Sequence, residues 1–98
     1  MASICDFDCT AKTLKAIAHP LRLKILCNLN RQELTVADIV SLAGSSQSNI
    51  SQHLIMLREL GILAARRDAN RVYYRVDNTE LLGVIGMMRE LYCGDEAG

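Results

Sequence analysis

Apolar residues recur at helical spacing in five stretches of the chain, and between the fourth and the fifth they shift to the shorter rhythm of β-strands. Ala11–Ala18 reads as a first helix. His19-Pro20 breaks it, Pro20 starts the second, and Leu21, Leu23, Ile25, Leu26 and Leu29 supply that helix's core positions. Leu34, Val36, Ile39, Val40 and Leu42 predict a short amphipathic helix over Thr35–Ala43. Gly44-Ser45 ends it and Ser46 is placed to cap the next. There Ile50, Leu54 and Leu57 recur at i, i+4 and i+7 until Leu60 and Gly61 close the run. Ile62–Arg67 and Arg71–Asp77 are short runs, the second rich in β-favouring Val72, Tyr73, Tyr74 and Val76, and Asp68-Ala69-Asn70 between them reads as a hairpin turn. A last helix is expected from about Thr79 to Cys93, with Asn78 as its cap.

The helix after Ser46 buries one face only. Its other face opens with Gln47, Ser48, Ser51 and Gln52, short uncharged side chains that donate and accept hydrogen bonds, which is what reading base edges in a major groove requires. With the short helix and tight turn before it, the spacing is that of a helix-turn-helix. Taken alone, the pattern equally suits a helical hairpin with a polar outside. The strands downstream weigh against that. Arg58, Arg66, Arg67, Arg71 and Arg75 gather positive charge beside the polar face in a chain whose 11 basic and 11 acidic residues cancel overall. Such charge suits phosphate contacts, which position a protein on a duplex without reading its sequence. The expected fold is α+β and mostly helical: a winged helix-turn-helix of five helices with a two-stranded β-wing.

Composition narrows the picture further. With 98 residues, half of them hydrophobic, the chain can bury one modest core, so residues 1–98 are read as a single DNA-binding domain. No stretch approaches the roughly twenty apolar residues that span a bilayer, and the start lacks the layout of a secretion signal, so a cytoplasmic location is expected. The near-balanced charge argues against a nonspecific nucleic-acid coat. The one close cysteine pair is a C-x3-C without the α/β surroundings of a thiol oxidoreductase, so neither a catalytic residue nor a cofactor is expected. In the last helix Leu81, Leu82, Val84, Ile85, Met87, Met88, Leu91 and Tyr92 leave little polar surface. It is either the core helix of a monomer or, with the first helix, the seam of a homodimer, which would match two-fold operators. A plain protein-interaction module would explain that helix but leave the polar face and the arginines without use.

KAIAHPLRLKILCNL, ELTVADIV, SQSNISQHLIMLRELGIL and ARRDANRVYYRV, taken in that order, resemble the ArsR/SmtB family of bacterial winged-helix repressors over roughly residues 12 to 93. The likeness rests on the HP-x-R-x-x-IL start, the S-x-HL-x-x-LR helix and the R-x-x-x-x-V-x-Y wing. It implies a homodimer that holds double-stranded operator DNA until an inducer reshapes it. It further implies that Gln47, Ser48, Ser51 and Gln52 face bases and that Arg66, Arg67, Arg71 and Arg75 face phosphates. His53 falls at the family's helix histidine, where packing or a backbone-phosphate contact suits it better than metal ligation.

The inducer turns on Cys5, Cys9, Cys27 and Cys93. A structural disulfide is not expected in a cytosolic chain, which leaves packing, metal ligation or redox sensing. The family's E-L-C-V-C-D thiolate site is replaced here by Glu33-Leu34-Thr35-Val36-Ala37-Asp38 and cannot be built. The last helix, with no His and only Asp77, Glu80 and Glu90 as acidic candidates, argues against the family's Asp and His site there. Cys27 in Ile25-Leu26-Cys27 and Cys93 in Leu91-Tyr92-Cys93 resemble the branch that senses persulfides and polysulfides, where the two thiols link and the dimer leaves DNA. The blander reading makes Cys27 a small buried hydrophobe and Cys93 an incidental surface thiol. Ranked second is a soft-metal or metalloid sensor for arsenite, cadmium or lead built from Cys5, Cys9 and Cys93. Otherwise residues 1–10 are a mobile segment whose thiols have no task.

Overall fold

The structure, a computed structural model, describes residues 6–94. Its elements are α1 (Phe7–Ile17), α2 (Pro20–Leu29), β1 (Leu34–Thr35), α3 (Val36–Ala43), α4 (Gln47–Glu59), β2 (Leu63–Asp68), β3 (Arg71–Val76) and α5 (Glu80–Tyr92). The first helix starts earlier than expected, which takes residues 7–10 out of the segment read as mobile. Asp6 is the reason: its side chain accepts from the Cys9 N–H at 3.0 Å and so caps an otherwise open first turn.

The breaks between helices fall where the sequence places them. His19 is extended at φ −150°, and its Nδ1 accepts from the Leu21 N–H at 3.1 Å, while Pro20 occupies the first turn of α2. A reciprocal capping box of Thr35 and Asp38 opens α3, and Gly44 closes it at φ +74°, a left-handed position suited to glycine. Ser46 caps α4 by accepting from the Asn49 N–H at 3.1 Å.

The hairpin gains a third strand that the sequence pattern did not show. Two residues, Leu34 and Thr35, pair antiparallel with Tyr74 and Tyr73, giving the sheet order β1-β3-β2. This ties the start of α3 to the wing.

One core holds these parts together. Ile25, Leu26 and Leu29 of α2, Ile39 of α3, and Ile50, Leu54 and Leu57 of α4 are fully buried. Leu63, Tyr74 and Val76 close the core from the sheet, and Ile85 closes it from α5. Leu21 and Leu23, expected as core positions, are only half-buried and pack at its edge. In α5 only Ile85 is buried, so Val84, Met87, Met88, Leu91 and Tyr92 stay exposed, as do Phe7 and Leu14 of α1.

Candidate nucleic-acid interface and thiol pair

The buried stripe Ile50, Leu54 and Leu57 anchors α4 on one side and turns its opposite side to solvent. Gln47, Ser48 and Gln52 are exposed there and Ser51 is half-buried. Asn49, not singled out from sequence, is exposed among them and donates through Nδ2 to Ser45 Oγ at 2.9 Å. The first turn of α4 thus presents a continuous set of uncharged donors and acceptors.

His53 lies apart from that set. It is half-buried, its Nδ1 accepts from Arg22 Nε at 2.9 Å, and its ring centroid is 4.9 Å from that of His19. Burial, followed by the positive charge of Arg22 and of His19, holds the imidazole below the ordinary histidine value. Arg22 also donates through Nη1 to the Ala16 carbonyl at 2.9 Å and through Nη2 to the Met56 sulfur. One guanidinium therefore fastens the end of α1 and the middle of α4 to α2. Sequence reasoning assigned Arg22 no role, because its partners lie six, 31 and 34 residues away.

The wing arginines sort by strand alternation. The register pairs Leu63 with Val76, Ala65 with Tyr74 and Arg67 with Val72 on the core-facing side. It pairs Ala64 with Arg75, Arg66 with Tyr73 and Asp68 with Arg71 on the outer side. Arg66, Arg71 and Arg75 thus share the outer face, and Arg67 continues the inner face beyond the end of the core. Among the described residues no carboxylate pairs with Arg67 or Arg71, whereas Arg75 has a 3.7 Å contact to Asp77. Arg66 is held by Glu33 at 2.8 Å and lies 4.7 Å above the Tyr73 ring. Its hydrogen bonds pull the Glu33 carboxyl below the usual carboxylate range.

Cys9 lies on α1, Cys27 on α2 and Cys93 at the end of α5. Cys9, Cys27 and Cys93 are free and exposed, which removes the reading of Cys27 as a buried packing residue, and Cys5 lies outside the described residues. Cys93 ends α5 and lines an apolar cavity of about 400 Å³ together with Leu14 and Ile17 of α1, Leu23 of α2, and Ile85 and Met88 of α5. Cys27 lies one helical turn after Leu23, on the same face of α2. Of the two thiols named from sequence, Cys93 lines the groove, and Cys27 lies outside its lining, one turn along α2 from Leu23. Among the described residues no three His, Cys, Asp or Glu side chains gather as a metal site would require.

A family model described as "Bacterial regulatory protein, arsR family" matches residues 19–65. The transcriptional activator HlyU of Vibrio cholerae is 42% identical over 80 residues, which make up 82% of this chain and 74% of that protein. The chain belongs to the ArsR family.

The stretch matched by the family model runs from His19 through α2, β1, α3 and α4 into β2, so it contains the whole reading unit and Cys27. The HTH-type regulator YgaV of Escherichia coli is 38% identical over 84 residues, 85% of each chain. The crystal structure of the transcriptional repressor BigR from Xylella fastidiosa superposes with a TM-score of 0.79 at 30% identity, covering 89% of both chains. As a member of this family the chain is a winged helix-turn-helix transcriptional regulator. The relatives named include an activator and a repressor, so family alone does not set the sign of regulation.

Proposed function

We propose that this ArsR-family regulator is a cytoplasmic homodimeric repressor that holds operator DNA while Cys27 and Cys93 are reduced and releases it once they are linked. The observation that carries this reading is that Cys27 and Cys93 are both free and exposed, with Cys93 lining the α1–α2–α5 groove and Cys27 one helical turn beyond Leu23 of its α2 wall. It is supported by the resemblance of both cysteine contexts to the persulfide-sensing branch of the family. In the dimer, Gln47, Ser48, Ser51 and Gln52 read bases while Arg67, Arg71 and Arg75 meet phosphates. The apolar faces of α1 and α5 make the seam between copies, close to the groove. A bond between α2 and α5 thereby alters the spacing of the two α4 helices.

The chemistry needs no cofactor. One thiolate attacks the terminal sulfur of an organic persulfide, RSSH, expelling the thiol RSH and leaving a protein persulfide. The second thiolate attacks its inner sulfur and expels hydrogen sulfide. The protein dithiol loses two electrons to the persulfide S–S bond, giving a protein disulfide, the thiol RSH and hydrogen sulfide. A polysulfide donor gives a longer bridge, and a peroxide reaches the same disulfide through a sulfenic acid.

Peptide mass spectrometry after treatment with glutathione persulfide, hydrogen peroxide, arsenite or cadmium, run in parallel, tests this. The reading requires a Cys27–Cys93 linked peptide with the persulfide. Protection of Cys5, Cys9 and Cys93 by arsenite or cadmium, with Cys27 unlinked under every oxidant, would establish the metalloid sensor instead.

A further inference from the structure

Arg66 is one of the wing arginines expected at phosphates and the most occupied of them in the structure. Its Nε lies 2.9 and 2.8 Å from the two carboxylate oxygens of Glu33, and its Nη2 lies 2.8 Å from the first of these. Nη1, on the remaining edge, faces Asp68 at 3.8 Å. Tyr73 lies against the flat face at 4.7 Å. One donor edge of the guanidinium is therefore taken by Glu33 and one face by Tyr73, while Nη1 has only the long contact to Asp68. Glu33 can reach it because β1 pairs Thr35 with Tyr73 and Leu34 with Tyr74, which brings the residue before Leu34 beside the outer face of the wing.

This pair has little to do with holding the fold together. The Arg66 side chain is 52% exposed and that of Glu33 is 30% exposed, and ion pairs open to water contribute little to stability. Its consequence lies in the field of the wing, where a carboxylate sits among the cations that meet DNA. We propose that Glu33 is a positioning residue that withholds Arg66 from the DNA backbone, leaving Arg71 and Arg75 as the outer-face phosphate contacts. This rests on the DNA-binding reading above. A regulator that must let go of its operator gains from such restraint, because each further phosphate contact tightens binding regardless of sequence.

The test measures binding to a labelled duplex from upstream of the protein's own gene, and to a mixed-sequence duplex, across a salt series. Wild type, Glu33→Gln, Arg66→Gln and the double variant are compared. Glu33→Gln is expected to bind both duplexes several-fold more tightly at low salt and to steepen the slope of log K against log salt by about 0.9 per protomer, one phosphate's worth. Arg66→Gln alone is expected to keep the wild-type slope, and in that background Glu33→Gln should no longer steepen it. A flatter slope for Arg66→Gln would show that Arg66 already touches DNA. Steepening by Glu33→Gln that persists without Arg66 would show that Glu33 acts through its own charge, and either result overturns the proposal. If Glu33→Gln does not fold, the slope of Arg66→Gln decides. Failure of the wild type to bind either duplex at low salt would instead sink the DNA-binding reading itself.

Discussion

The imidazole of His53 accepts a hydrogen bond from Arg22, and only its neutral form can do so. Its titration lies below the ordinary value of 6.5, so the unfolded chain binds the proton more readily than the folded one. The stability His53 contributes is therefore complete above that ordinary value and is lost as pH falls through the lowered one. Thermal melting should show a drop in Tm on acidification through this window, and His53→Asn should flatten it. An equal pH slope in the variant would show that His53 is not the group responsible. At the surface of the wing, Arg71→Ala should weaken binding to all sequences alike and reduce the salt slope by about 1 per protomer, read by fluorescence anisotropy. Some of these placements were legible in the chain and others were not, for a physical reason. The polar residues of the first turn of α4 follow from local periodicity, whereas the engagement of His53 by Arg22 and of Arg66 by Glu33 joins residues 31 and 33 apart. No periodic pattern encodes such meetings.

Among the elements, the helices that carry a cap or a breaker were the legible ones. Ser46, Gly44 and Pro20 each impose a local geometry that shows in sequence, and each acts where expected. β1 was not legible because two residues are too few to show a strand's alternation, and it exists only because β3 supplies a partner. The early start of α1 depends on one side chain, Asp6, closing the first turn. In the wing, the register pairs Asp68 with Arg71, which leaves Ala69 and Asn70 as a two-residue loop with Ala69 at φ +58°. A side chain at such a φ costs energy, and glycine fits the first central position of this hairpin type. Ala69→Gly should therefore stabilise the protein by about 0.5 to 1 kcal/mol after the larger chain entropy of glycine is set against the relief. Urea unfolding measures this; destabilisation would mean that the turn is not strained. By contrast Leu54→Ala, in the fully buried stripe of α4, should cost about 2 to 5 kcal/mol in the same assay.

At the scale of the whole molecule, the chain leaves Phe7, Leu14, Val84, Met87, Met88, Leu91 and Tyr92 exposed on its first and last helices. The apolar character of α5 was legible in sequence; what covers it was not, because a periodic stripe is equally suited to a core and to a seam between copies. Under the homodimer reading, Leu91→Glu should convert the protein to a monomer in sedimentation equilibrium and abolish tight binding to a two-fold operator while the helical content is kept. A dimer that survives this change would place the seam elsewhere. No helix among the described residues is long and apolar enough to cross a membrane, so these side chains are not accounted for by a spanning helix. Under the proposed thiol switch, a bond between Cys27 of α2 and Cys93 at the end of α5 acts on α4 through the core in which α2, α4 and α5 each bury side chains. Anisotropy of labelled upstream DNA, followed while glutathione persulfide and then dithiothreitol are added, tests that coupling most directly. The account predicts release of wild-type protein and its recovery on reduction, with Cys27→Ser and Cys93→Ser bound throughout; release of either variant at the wild-type persulfide concentration would contradict it.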